Sequence, residues 1–91
     1  MASSFVKPSA RRPNAARRAR QAVEEVEKRV ETLEQQVAAL TAELEDPALY
    51  TTASGPQRAH ALGAQLDKVR ESLDKALAEW TRLTEAAELA E

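Results

Sequence analysis

The chain has 91 residues, 13 basic and 15 acidic side chains, a net charge of −2 and no cysteine. Nineteen of its apolar residues are alanine, and only Phe5, Tyr50 and Trp80 are aromatic, so large side chains are too few for a bulky globular core. Without cysteine there is no disulfide framework or thiolate metal site. The single histidine, His60, excludes a histidine-cluster zinc site, and no apolar run approaches the roughly 20 residues that span a bilayer. What remains is rich in alanine, leucine, glutamate, glutamine, lysine and arginine, the composition of long helices. The expected setting is cytoplasmic, with no membrane partner, no metal and no cofactor.

Residues 1–14 contain Pro8, Pro13, several serines and basic residues, with no hydrophobic period. They predict a flexible basic arm, disordered when alone. Charge is split along the chain: residues 1–23 carry six cations and no acid, and the remainder carries 7 basic and 15 acidic residues, or −8. The arm and the body therefore suit different partners. Asn14 offers an N-cap for a helix over 15–45.

Within that helix Ala16, Ala19, Val23, Val26, Val30, Leu33, Val37, Leu40 and Leu44 recur at alternating intervals of three and four. This is a heptad repeat with both apolar positions filled. Asp46-Pro47 ends it, because proline lacks the amide proton and clashes with the preceding turn. Residues 46–56 form the connection, over whose tip Leu49 and Tyr50 are expected to fold back, and Ser54 with Gln57 fits a capping box for a second helix over 57–90. The second repeat runs Ala59, Leu62, Leu66, Val69, Leu73, Ala76, Trp80, Leu83, Ala87, Ala90, with Leu77 and Leu89 flanking it.

A short connection makes the two helices antiparallel neighbours. The expected fold is all-α: an antiparallel two-helix coiled-coil hairpin over 15–91 with a disordered basic N-terminal arm. Centring the turn on Tyr50–Thr51 puts Leu40 opposite Leu62, Val37 or Gln36 opposite Leu66, and Ala22 and Val23 opposite Trp80.

No catalytic motif is present. The two glycines, Gly55 and Gly63, are isolated, no histidine triad can be assembled, and a slender hairpin has no concave pocket. Glu24/Lys28 and Glu71/Lys75 read as surface ion pairs, and His60 as a solvated or turn-packing residue. Trp80 reads as a space-filling seam residue, or as one with a face open to Arg18 or a nucleobase. The feature that reads as functional is the basic cluster Lys7, Arg11, Arg12, Arg17, Arg18 and Arg20. Arginine forks bind phosphate, and a cluster gives salt-sensitive affinity for nucleic acid. Neutralisation by Glu85, Glu88 and Glu91 across the hairpin is one alternative, and a solvated linker the other.

The run E-L-E-D-P-A-L-Y at residues 43–50, after a heptad helix, and L-D-K-A-L-A-E-W-T-R-L at 73–83 resemble the C-terminal extension of ABC-F family ATPases of the Uup type. The resemblance covers about residues 20–88 and carries Asp46, Pro47, Leu49, Tyr50, Trp80 and Leu83 over as structural signatures. It departs upstream, where A-A-R-R-A-R stands in place of a lysine-rich entry to the first helix. It implies a parent protein with two nucleotide-binding domains that hydrolyses ATP and acts in translation or antibiotic resistance. Its extension would contact ribosomal RNA, transfer RNA or DNA, and ATP hydrolysis would not belong to this chain. The competing expectation is a structural or protein-interaction module that self-associates or braces a neighbouring domain, motivated by the widened stripe at Leu77 and Leu89.

Overall fold

The computed structural model describes the backbone of residues 2–90 and the side chains of residues 14–90. Two helices, α1 (Ala2–Glu45) and α2 (Gly55–Ala90), are joined through a 3-10 turn, Pro47–Thr51. They pack antiparallel into a rod of 78 × 14 × 14 Å. The antiparallel hairpin expected from the heptads is the fold. Helical backbone is assigned from Ala2, upstream of the onset expected at residue 15. The arm expected over 1–14 falls almost wholly on residues whose side chains lie outside those described.

Each heptad residue named above is buried or half-buried, and the residues between them are mostly exposed. Two helices can cover only one stripe of each other, so much of this seam keeps some contact with water. Burial is deepest at Ala16, Val26 and Leu40 on α1 and at Leu62, Leu66, Ala76 and Ala87 on α2. The strongest packing lies near the turn, where Leu40, Leu49, Leu62 and Leu66 form one cluster flanked by Val37, Leu44, Ala59 and Val69.

The connection is organised by Asp46. Its extended backbone (φ −70°, ψ 120°) is the conformation that a residue before proline prefers. Its carboxylate Oδ1 accepts from the Ala48 amide at 2.9 Å, and its carbonyl accepts from Leu49 N–H at 3.1 Å. Pro47 follows at the first helical position, where its missing N–H costs nothing and its fixed φ suits the turn. The Tyr50 hydroxyl donates to the carbonyl of Leu44, one of the α1 carbonyls left without an intrahelical partner. Leu49 turns inward, whereas the Tyr50 ring stays 59% exposed. Thr51 and Thr52 hydroxyls donate to the carbonyls of Ala48 and Leu49.

α2 starts two residues earlier than expected, at Gly55, with the Ser54 carbonyl accepting from Arg58 N–H at 3.0 Å. Gly55 is buried, and a Cβ built on it would lie 1.9 Å from the Leu49 carbonyl oxygen. No side chain fits there. Gly63 is the contrast, with nothing within 4 Å of its would-be Cβ. Gly55→Ala should therefore destabilise by about 2–3 kcal/mol through overpacking. Gly63→Ala should stabilise by about 0.5–1 kcal/mol through helix propensity. Thermal unfolding followed by circular dichroism reads both; equal melting shifts for the two variants would refute the close approach at Gly55.

Candidate nucleic-acid interface

α1 carries its cations at the open end of the hairpin, away from the turn. Ala16 is buried on the seam, so its neighbours Arg17 and Arg18 point to solvent, and both are exposed. Among the described residues neither forms an ion pair, which leaves their guanidinium forks open. Arg20 is also exposed but is engaged in an interaction. It lines a shallow groove with Val23, Glu24, Thr84, Ala87 and Glu88. Arg20 and Glu88 thus line the same groove. Lys7, Arg11 and Arg12 lie outside the described side chains.

From Glu24 onward acidic side chains predominate on α1: Glu24, Glu25, Glu27, Glu31 and Glu34 are exposed, with Lys28 and Arg29 exposed among them. The cationic stretch is thus short and polarised. Acidic side chains begin one turn below Arg20.

Toward the tip the pairing follows the expected alignment: Leu40 and Leu62 share one cluster, and Arg58 reaches Glu43 at 3.0 Å. Further along, the contacts differ. Trp80 Nε1 donates to Glu27 Oε2 at 3.1 Å, and Arg29 pairs with Glu79 at 3.0 Å. Trp80 was expected against Ala22 and Val23. Its indole N–H needs an acceptor, which two apolar side chains do not offer, and the acceptor stands one turn further along α1. The ring is half-buried, and its polar partner is Glu27 rather than Arg18. Leu83 is half-buried on the seam.

Asp46, Pro47, Leu49 and Tyr50 are all placed at the tip, at the far end of the rod from the arginines. Their work is to close the hairpin. His60 is exposed beside Gly63 and Asp67. The Glu71–Lys75 pair forms at 3.5 Å between strongly exposed side chains, and such pairs add little stability. Among the described residues there is no cluster of histidine, cysteine or carboxylates that could hold a metal. No helix among them is long and apolar enough to cross a membrane.

Sequence reading missed Gly55. Gly55 lies inside the connection expected over 46–56, where a backbone approach, rather than a positive φ, demands glycine. It also missed how Glu27, Glu31 and Glu34 gather with Leu77 and Trp80 along one groove.

Compared with known proteins, residues 15–85 match the family model of the ABC transporter C-terminal domain. No curated protein and no solved structure matches the chain.

One polar atom of this end is unsatisfied: the Thr84 hydroxyl is buried without a hydrogen-bond partner. Replacing it with the isosteric methyl should relieve its desolvation, so Thr84→Val is expected to stabilise by about 1 kcal/mol. Arg17→Ala and Arg18→Ala, which touch nothing buried, should stay within about 0.5 kcal/mol of the parent. Urea titration checks the three together; a loss of stability in Thr84→Val would mean that the hydroxyl has a partner.

Proposed function

The chain belongs to the ABC transporter C-terminal domain family, and from that membership we propose that it is the accessory nucleic-acid-binding coiled coil of an ABC-F-like ATP-binding protein. Nucleotide-binding domains of the parent chain would be its covalent neighbours. They would perform ATP hydrolysis, while the hairpin carries no catalytic step of its own. The partner would be RNA on the ribosome, transfer RNA or DNA, and a role in translation or antibiotic resistance would follow from the parent.

The observation that carries this reading is the exposed pair Arg17 and Arg18, free of carboxylate partners among the described residues, at the end of a rod whose remaining residues, 24–91, carry a net charge of −8. A guanidinium already paired to glutamate would have to exchange one anion for another. An open one gains a charge-assisted, bidentate contact with phosphate directly. The acidic body below Glu24 repels phosphate, so the polymer would be confined to the open end and to Lys7, Arg11 and Arg12 beyond it. Binding would be independent of base sequence, because phosphate contacts carry no sequence information.

Fluorescence anisotropy with labelled RNA and duplex DNA tests the proposal. If all six cations reach phosphate, affinity should fall on the order of a thousandfold between roughly 50 and 200 mM salt. Arg17→Ala with Arg18→Ala should flatten the salt dependence by about two phosphate contacts while leaving helicity intact. No binding at low salt, or binding unchanged in the double variant, would refute it.

A further inference from the structure

The two edges of the hairpin are chemically different. Arg29, Glu43, Arg58 and Glu79 each immediately precede a seam residue (Val30, Leu44, Ala59 and Trp80), so they share one edge. That edge carries the cross-helix ion pairs Arg29–Glu79 and Arg58–Glu43. The opposite edge holds residues that follow a seam position, among them Glu27 and Glu34 on α1 and Leu77 on α2. Here Val30, Leu77 and Trp80 floor an open groove of about 270 Å³, rimmed by Glu27, Glu31 and Glu34. Leu77 is 42% exposed within it. Glu31 and Glu34 are exposed and, among the described residues, form no ion pair.

We propose that this groove docks the arginine-rich segment, residues 5–20, of a second copy of the chain. An apolar floor bearing an indole, with three carboxylates along one rim, is complementary to arginine. The guanidinium plane stacks on the ring while its N–H groups reach the carboxylates. The chain supplies that chemistry itself, with six cations and no acid over residues 1–23 against −8 on the rest. It cannot supply it to its own groove. Arg17 and Arg18 are built into the same rigid helix as the rim, and Glu27 to Glu34 lie on the order of 15–25 Å further along it. A second hairpin lying antiparallel removes that constraint, because it brings its basic end over the acidic stretch. Exchange in both directions about a two-fold axis closes the assembly as a dimer.

Each contact is solvent-exposed, so the association is weak and salt-sensitive. It is independent of the nucleic-acid reading, although the two occupants compete for Arg17 and Arg18.

Trp80 is the only tryptophan and lies in the groove, so it reports occupancy directly. A synthetic peptide of residues 5–20, which contains no tryptophan, is titrated into the full chain. The expected result is a saturable change in Trp80 emission that weakens about tenfold or more between low salt and roughly 0.3 M. Glu31→Gln with Glu34→Gln should weaken peptide binding about fivefold or more, and Leu77→Ser should do so as well. Lysine in place of every arginine of the peptide should bind more weakly, because it loses the stacking. Sedimentation equilibrium of the chain alone should show dimer at low salt, lost in the Glu31/Glu34 double variant while circular dichroism stays unchanged. Peptide binding that ignores the Glu31/Glu34 substitutions overturns the site. A chain that stays monomeric up to about 1 mM at low salt overturns the second copy as occupant, even where the peptide binds.

Discussion

The close approach of Gly55 to the Leu49 carbonyl is the constraint on which the hairpin depends. A pair of helices buries one stripe on each partner and gains nothing from a third layer, so its stability is spread thinly along a half-exposed seam. The seam alone does not say where one helix must end and the other begin. The tip does. Asp46 and Pro47 set the 3-10 turn, Leu49 drops from it into the cluster with Leu40, Leu62 and Leu66, and Gly55 starts α2 directly against the turn's backbone. The hydroxyls of Tyr50, Thr51 and Thr52 then satisfy carbonyls that the ends of α1 and the turn would otherwise leave open. A larger residue at 55 would push α2 away from Leu49 and weaken the only region of the molecule with a leucine on every side.

From that anchored end the pairing is free to adjust. Leu40 and Leu62 meet as heptad alignment requires, whereas Trp80 finds its acceptor on Glu27, one turn from the apolar pair that alignment assigns to it. The difference follows from the size and polarity of the indole. In this part of the seam Trp80 stands among Val23, Val26 and Val30 on α1 and Leu73, Ala76 and Leu83 on α2, and its indole N–H reaches the edge that carries Glu27. At the edge it keeps its hydrogen bond and leaves one side open. The groove floored by Trp80, Val30 and Leu77 lies along the edge where the indole meets Glu27.

The heptads were legible because their signal is redundant: every apolar position of both repeats is found on the seam, and one misread residue would not have moved the pattern. The tip was legible in part. Asp46-Pro47 announces a helix end through proline's missing donor, and Leu49 with Tyr50 announces a fold-back. Which of the two would go inward was not given by hydropathy, since the phenol could be half-satisfied either way; the free Leu44 carbonyl decides it. Gly55 was unreadable for a different reason. Its φ is ordinary, so the usual argument for glycine in turns does not apply, and the atom that excludes a Cβ belongs to a residue six positions earlier. The basic cluster was legible as charge but not as geometry. Periodicity separates Arg17 and Arg18, which face solvent, from Arg20, which leans into a groove beside Glu88, only once the partner helix is in place.

The exposed pair Arg17 and Arg18 and the residues that close the hairpin therefore stand at opposite ends of one rod. The residues that close the hairpin (Asp46, Leu49, Tyr50 and Gly55) carry no exposed cation. Arg17 and Arg18 sit at the other end, where the seam is alanine-rich and contributes less to stability. Substitutions at Arg17 and Arg18 are separated from the folding determinants by most of the length of α1, so that end can vary without cost to the fold. The converse is also true: the tip can change only by keeping the Leu49–Gly55 contact. In a hairpin without a deep core, variable and fold-determining positions are kept apart by distance along the helix, because there is no interior in which to separate them.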